Sequence, residues 1–438
     1  MEKFFKIKER GSSVSKEILG GLVTFFAMAY IIFVNPNYLS QSGMNFTAVM
    51  LATCISSAIG CFLTAFLADV PFAQAPGMGL NAFFTYTVVF SMGYTWQQGL
   101  AIVLISGLIF LIITISPLRS KIVNSIPAFL KAAISAGIGL FIAFIGMLNS
   151  GIVLAFGGEP GYTSLGGITH GATLLTIIGL VITIILLVWK VKGAILIGII
   201  ATTLIGIPFH VTKFAWDSTS FSALGETFGQ CFSGFKGLGA YGILPLITAI
   251  LSFAIVDCFD TVGTLIGTAG NAGMLNEKGE LPGGDRALVA DAVATCVGAI
   301  FGTSTVTTFV ESSTGIQEGA RTGLHSIVVG ILFLLACFLA PVAGIIPSAA
   351  TAPALIIVGV YMIAGAAKVE WSNLEQAIPA FLTIAMMPLA YSISDGIGFG
   401  MISFSVIKLV RGKAKEVPVL VYILSIIFIA KYILAGRI

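Results

Sequence analysis

Four acidic side chains sit inside segments of this chain that are otherwise apolar. Asp257 and Asp260 lie in Ile255-Val256-Asp257-Cys258-Phe259-Asp260-Thr261-Val262-Gly263-Thr264, Asp291 lies in Ala290-Asp291-Ala292, and Glu311 ends the run Gly302 to Val310. A carboxylate at the centre of a bilayer costs roughly 2.5–3.5 kcal/mol on insertion scales, so such a group faces protein or a polar cavity. Asp257, Asp260, Thr261 and Thr264 follow one another at helical offsets, which makes them a single polar stripe. Their oxygens accept hydrogen bonds from ring N–H and amino groups. Intramembrane carboxylates are also natural proton carriers. Asp260 and Glu311 read as ligand contacts. For Asp257 a proton-handling role and a satisfied interhelical hydrogen bond weigh about equally, and for Asp291 a structural role weighs somewhat more than a ligand contact. Asp257, Asp260, Asp291 and Glu311 are all carried forward as proton-coupling candidates.

Two breaks must position these groups. Ala75-Pro76-Gly77-Met78-Gly79-Leu80-Asn81 and Gly302-Thr303-Ser304-Thr305-Val306-Thr307-Thr308-Phe309-Val310-Glu311 interrupt apolar segments with Pro-Gly-x-Gly and with a β-branched run. Neither suits a lipid-facing helix, and irregular backbone survives at membrane depth only when buried in protein or lining a cavity. Paired breaks in two halves of a chain point to a transporter's substrate site. At Pro76–Asn81 and at Glu311-Ser312-Ser313 a half-helix is expected to begin after an extended piece, so that free N–H groups and the positive dipole end face the site. Asn81, Asp260, Glu311 and Ser312 are therefore substrate-binding candidates. A flat polar ligand suits these partners, with Phe26, Phe83, Phe84, Phe259 or Phe309 as a stacking surface and Phe259 the one retained.

Composition places the whole chain in a membrane. Of its 438 residues 57% are hydrophobic and 9% charged, against roughly 25% charge in soluble domains. Mean hydropathy is +1.04. No small-residue cleavage motif follows the first apolar run, which is expected to stay as a span. Six cysteines, scattered singly, offer neither a disulfide framework nor a Cys-x-x-Cys site. His170, His210 and His325 lie far apart near span ends, so neither metal nor cofactor is expected.

Apolar runs long enough to cross a bilayer fall at about 17–39, 47–69, 71–92 (interrupted), 97–116, 126–148, 171–190 and 192–208, then at 244–270, 286–302, 303–320 (interrupted), 322–345, 350–367, 375–393 and 395–411. The expected fold is an all-α polytopic membrane protein of about 14 transmembrane segments, a 7+7 inverted repeat whose spans 3 and 10 are interrupted helices with short extended pieces. An odd number of spans per copy inverts the second copy. With a cytoplasmic N-terminus, the inner side receives nearly all Lys and Arg, Arg119, Lys121, Lys131, Lys278, Arg321 and Lys368 among them, and the outer side only Lys213 and Lys236. That is the positive-inside pattern. Val417 to Leu434 reads as either a further span or an interfacial helix.

Phe25-Phe26-Ala27-Met28-Ala29-Tyr30-Ile31-Ile32-Phe33-Val34-Asn35-Pro36, the Ala75 to Phe84 stretch, Val256 to Gly267, and Gly302 to Thr308 with Glu311-Ser312 together resemble the AzgA-like purine permeases of the nucleobase/ascorbate transporter superfamily. The resemblance runs from about residue 10 to 412. It implies an elevator-type transporter with a core domain made of 17–116 (spans 1–4) and 244–345 (spans 8–11), and a gate domain made of 126–208 (spans 5–7) and 350–411 (spans 12–14). Residues 1–16 would be a cytoplasmic segment, 209–243 an extracellular connection and 412–438 a C-terminal segment. The family's Gly-Leu-Asn motif carries over to Gly79 and Asn81, its acidic pair to Asp257 and Asp260, its ninth-span Asp to Asp291 and its tenth-span Glu to Glu311. The second acidic residue is Asp where some relatives have Glu. The implied activity is proton-coupled uptake of adenine, guanine or hypoxanthine across the cell membrane, in a protein embedded in membrane lipid and assembled as a homodimer, with no nucleic-acid partner.

The alternative on the same architecture is another substrate, a pyrimidine- or xanthine-type base or an anion. An anion site should be poor in carboxylates. An enzyme is not expected: there is no nucleophile/base arrangement, and Gly77-Met78-Gly79 lacks the third glycine and the βαβ unit of a dinucleotide fingerprint.

Overall fold

A computed structural model describes residues 2–116, 126–156, 162–169, 171–214, 221–276 and 280–435. Arg119, Lys121, His170 and Lys278 lie outside the described residues. The helices are α1 (Glu2–Phe5), α2 (Val14–Met28), α3 (Ile31–Leu39), α4 (Phe46–Leu63), α5 (Met78–Ala82, continued as a π-helix over Phe83–Ser91), α6 (Trp96–Ile115), α7 (Ala128–Asn149), α8 (Gly171–Val188), α9 (Ala194–Ile205), α10 (Gln230–Ser233), α11 (Ile243–Asn271), α12 (Gly284–Phe301), α13 (Ser312–Gln317), α14 (Gly323–Ala336), α15 (Ser348–Ile363), α16 (Leu374–Leu389), α17 (Ile393–Val410) and α18 (Val419–Ala435). Strand β1 (Gln74–Pro76) precedes α5 and β4 (Val306–Thr308) precedes α13, while β2 (Val153–Phe156) and β3 (Tyr162–Leu165) form a hairpin after α7.

Among the described residues, nine helices are long and apolar enough to cross a membrane. The other five expected spans are the two interrupted ones, α9, α16 and α12. The first four are too short, and α12 carries Asp285, Arg286 and Asp291 within its 18 residues. The first span, expected as one helix, is broken at Ala29–Tyr30, six residues ahead of Pro36. Pro36 itself lies inside α3, where it leaves the carbonyl of Ile32 without its usual N–H.

The extended pieces answer each other. β1 and β4 pair antiparallel in the register Gln74↔Thr308, Ala75↔Thr307 and Pro76↔Val306. The Gly77 N–H donates to the Thr305 carbonyl and the Phe309 N–H to the Ala73 carbonyl, each at 3.0 Å. A lone extended segment at this depth would leave several backbone groups unpaired, each costing kilocalories in a dry medium. Two segments that pair remove that cost, and Gln74, Ala75, Val306 and Thr307 are accordingly buried.

The helices fall into two groups. α4, α11 and α12 pack on the strands, with α6 and α14 packed on those helices and α2 on α14, whereas α7 packs on α15 and α16, with α8, α9 and α17 beside them. α18 lies along α17: the Ser405 and Ser425 hydroxyls meet at 3.0 Å, and Lys431 Nζ reaches Asp395 Oδ1 at 2.7 Å. Val421, Leu424 and Phe428 are buried on the α17 side while Val419, Ile426 and Ile433 are exposed. The helix therefore packs on the bundle with one face and leaves the other apolar and exposed.

Candidate functional site

A cavity of about 950 Å³ lies between the two groups of helices. One wall consists of Gly79, Leu80, Phe259, Asp260, Thr264, Val310, Ser313 and Gln317, from α5, α11 and the second break; the other consists of Lys131, Ile134, Ser135 and Ile138 of α7, with Met362 and Lys368. Both broken helices begin here. Gly77 caps α5 in an extended conformation and Glu311 occupies the cap position of α13. The first-turn N–H groups of α5 are donors of the kind that bind anionic or carbonyl oxygens, whereas at α13, against expectation, those of Ser312, Ser313, Thr314 and Gly315 already donate to the Phe309, Val310 and Glu311 carbonyls and to the Thr24 hydroxyl.

The carboxylates divide by position. Asp260 is partly exposed and lines the cavity. Glu311, in the second break, is partly buried and does not line the cavity, and its Oε1 accepts from the Tyr30 hydroxyl at 2.5 Å. Asp257 is buried on the helix face turned toward α12, where its Oδ2 accepts from the Thr295 hydroxyl at 3.0 Å. Its Oδ1 has no partner among the described residues. Asp291 is fully buried behind the strands and accepts from Thr261 (2.9 Å), Thr308 (3.1 Å) and Gln74 (3.4 Å). It ties α11, β4 and β1 to α12. The Thr261 and Thr307 hydroxyls also meet, at 2.7 Å.

Of the other sequence candidates, Gly79 and Phe259 line the cavity, whereas Asn81 and Ser312 do not. Asn81 Oδ1 accepts from the Ser304 hydroxyl and its Nδ2 faces the Pro76 carbonyl, so the residue fastens one break to the other. Ser312 Oγ accepts from the Ala73 N–H at 3.0 Å and anchors the entry to β1. A Cβ on Gly79 would lie 2.5 Å from Ile138 Cγ2, so glycine there is what lets α7 approach the break. Among the aromatic candidates, Phe26 is 48% exposed on the outer surface, Phe83 stacks edge-on against Phe253, Phe84 packs on Gly99, and Phe309 is buried. Only Phe259 of the five lines the cavity.

Sequence reasoning missed Tyr30, Lys131, Ser313 and Gln317 as site residues. Tyr30 was visible as a hydroxyl in a span that also carries Asn35-Pro36, but its partner, 281 positions away, was not. Lys131 read as one more inner-side cation, yet its Nζ lies over the Phe259 ring, 5.0 Å from the centroid. Among the described residues no group of His, Cys, Asp and Glu could hold a metal.

The sequence profile Xan_ur_permease, described as "Permease family", matches residues 15–399. The chain belongs to this Permease family. It is 44% identical over 443 residues to "Guanine/hypoxanthine permease PbuG" of Bacillus subtilis (strain 168), covering 99% of each chain. It is 38% identical over 434 residues to "Adenine permease AdeP" of Escherichia coli (strain K12), covering 99% of this chain and 96% of that relative. Among solved structures, "The transmembrane domain of a cyanobacterium bicarbonate transporter BicA" matches with a TM-score of 0.66 at 15% identity, over 88% of this chain and 96% of that one. That likeness concerns the fold. This Permease-family chain is thus a multi-pass membrane protein whose curated relatives include purine permeases.

Proposed function

We propose that the chain takes up purine nucleobases, adenine, guanine or hypoxanthine, across the cell membrane together with protons. The observation that carries this reading is the cavity wall on which the Asp260 carboxylate, the Phe259 ring and the start of α13 stand together. A purine offers N–H donors for the carboxylate, a ring face for Phe259, and carbonyl or ring-nitrogen acceptors for the Ser313 hydroxyl and the N–H groups that open α5. The names of PbuG and AdeP support the substrate class. A carboxylate on the wall disfavours an anion as cargo, although the fold is shared with a bicarbonate transporter.

In this reading Asp260 and Glu311 exchange the coupling proton, and Asp257 and Asp291 hold the helix and strands that carry them. The ladder-centred helices are the moving core, α7–α9 and α15–α17 the gate, and the core slides between inward- and outward-open arrangements as an elevator. The cavity's Lys131, Arg321 and Lys368 belong to the side read as cytoplasmic, so the arrangement described is inward-open. The reading includes a cytoplasmic N-terminus and a homodimer. Radiolabelled uptake of a purine panel, in cells lacking their own purine permeases and with or without a protonophore, tests it. Accumulation that the protonophore collapses is the expected result. No uptake of any purine, or uptake driven by sodium and indifferent to pH, overturns it.

A further inference from the structure

α7 presents Lys131, Ile134, Ser135 and Ile138 to the cavity, at the spacing of one helical stripe. At Gly137 it packs on Thr383, Ile384 and Met387 of α16, so α7 belongs with α16, while Ile138 at the end of the stripe meets Gly79 of α5. Phe259 belongs to the other group of helices, on α11, one residue before Asp260. The Lys131 ammonium lies over the Phe259 ring, which joins the two groups of helices at the cavity.

An aromatic face holds either a cation or a stacked base. A cation within about 6 Å of the centroid is attracted by the ring quadrupole, while a planar base needs the same π-surface at van der Waals distance. A base bound through Asp260 therefore meets Phe259 with one face already occupied.

We propose that Lys131 is a release residue, a specificity element of the cytoplasmic-facing arrangement that competes with the cargo base for the face of Phe259. The proposal rests on the transport reading above. When α11 moves relative to α7, Phe259 leaves Lys131 behind and the face is free to stack. The same core thus binds its cargo more weakly where it must let go, with no change in the Asp260 or Glu311 contacts. Lys131 is a positioning residue in this scheme and need not touch the base.

The test compares entry from the two sides. Right-side-out and inside-out vesicles containing the full chain are assayed for the half-saturating concentration of a transported purine. Lys131→Gln and Lys131→Ala should lower that concentration about two- to fivefold at the cytoplasmic side only, the ratio a partly exposed cation–π contact represents. Lys131→Arg keeps the cation and should leave both sides as in the wild type. In a Phe259→Leu background the neutral substitutions should have no further effect. Equal changes on both sides, no change for the neutral variants, or a cytoplasmic change with Lys131→Arg overturns the proposal. A wild-type protein that moves no purine instead overturns the transport reading.

Discussion

Gly79→Ala is a quantitative probe of the contact between the first break and α7. The added methyl would lie 2.5 Å from Ile138 Cγ2, with Ile138 Cβ and Cδ1 at 3.8 and 3.9 Å, so a single γ-methyl makes the clash. Forcing a methyl into a packed site costs about 1–3 kcal/mol. Because α7 and α5 meet here in the arrangement described, that cost falls on this arrangement and reduces its population relative to any in which the two have parted, by roughly 5- to 150-fold. Net uptake should fall in an inserted protein. The second site makes the reasoning sharp. Ile138→Ala removes Cγ2 and should restore uptake in the Gly79→Ala background, whereas Ile138→Val keeps both γ-carbons and should not. Initial uptake rates at matched surface expression, with thermal melting in detergent as a control on folding, decide the matter. Wild-type behaviour of Gly79→Ala, or equal rescue by Ala and Val at 138, would refute the close approach as the cause.

Glu311→Gln should abolish accumulation while leaving the protein inserted, because in the reading above Glu311 carries the coupling proton and receives a ring N–H of the cargo, and an amide carries no proton; near-normal affinity and rate in uptake kinetics would remove Glu311 from the site. For Asp260 the sign follows from the coupling: if its protonation is linked to cargo binding, uptake rises as external pH falls, and Asp260→Asn should flatten that profile and keep at most exchange without accumulation. A pH profile unchanged by Asp260→Asn would sink its role as proton carrier. Asp291→Ala leaves Thr261, Thr308 and Gln74 without their shared acceptor and should destabilise the fold by about 2–4 kcal/mol, read as a lower melting temperature. A variant that melts like the wild type but transports nothing would place Asp291 in the proton path instead.

What the sequence determined by itself is what local chemistry dictates. Pro76-Gly77 and the Thr/Val run from Thr303 to Thr308 cannot continue a lipid-facing helix, so both breaks were legible. The offsets of Asp257, Asp260, Thr261 and Thr264 made the polar face of α11 legible too. Hydropathy separated the long spans, and the aligned motifs were enough to name the family. Tertiary structure decided everything that depends on a partner far along the chain. That β1 finds its ladder partner in β4, more than 200 residues later, follows from the need of buried extended backbone for hydrogen bonds, a need that sequence states without naming who meets it. Asp257 and Asp260 are one helical turn apart on the same stripe, yet Asp260 reaches the cavity and Asp257 turns to Thr295, because the rotation of α11 about its axis is set by the packing of α12. Asn81 and Ser312 looked like ligand contacts and instead fasten the breaks, since a short polar side chain beside unpaired backbone or a facing hydroxyl bonds there first. Tyr30, in the turn between α2 and α3, and Lys131 of α7 joined the site only because tertiary packing brings one to Glu311 and the other over Phe259, and no spacing within either segment records that meeting.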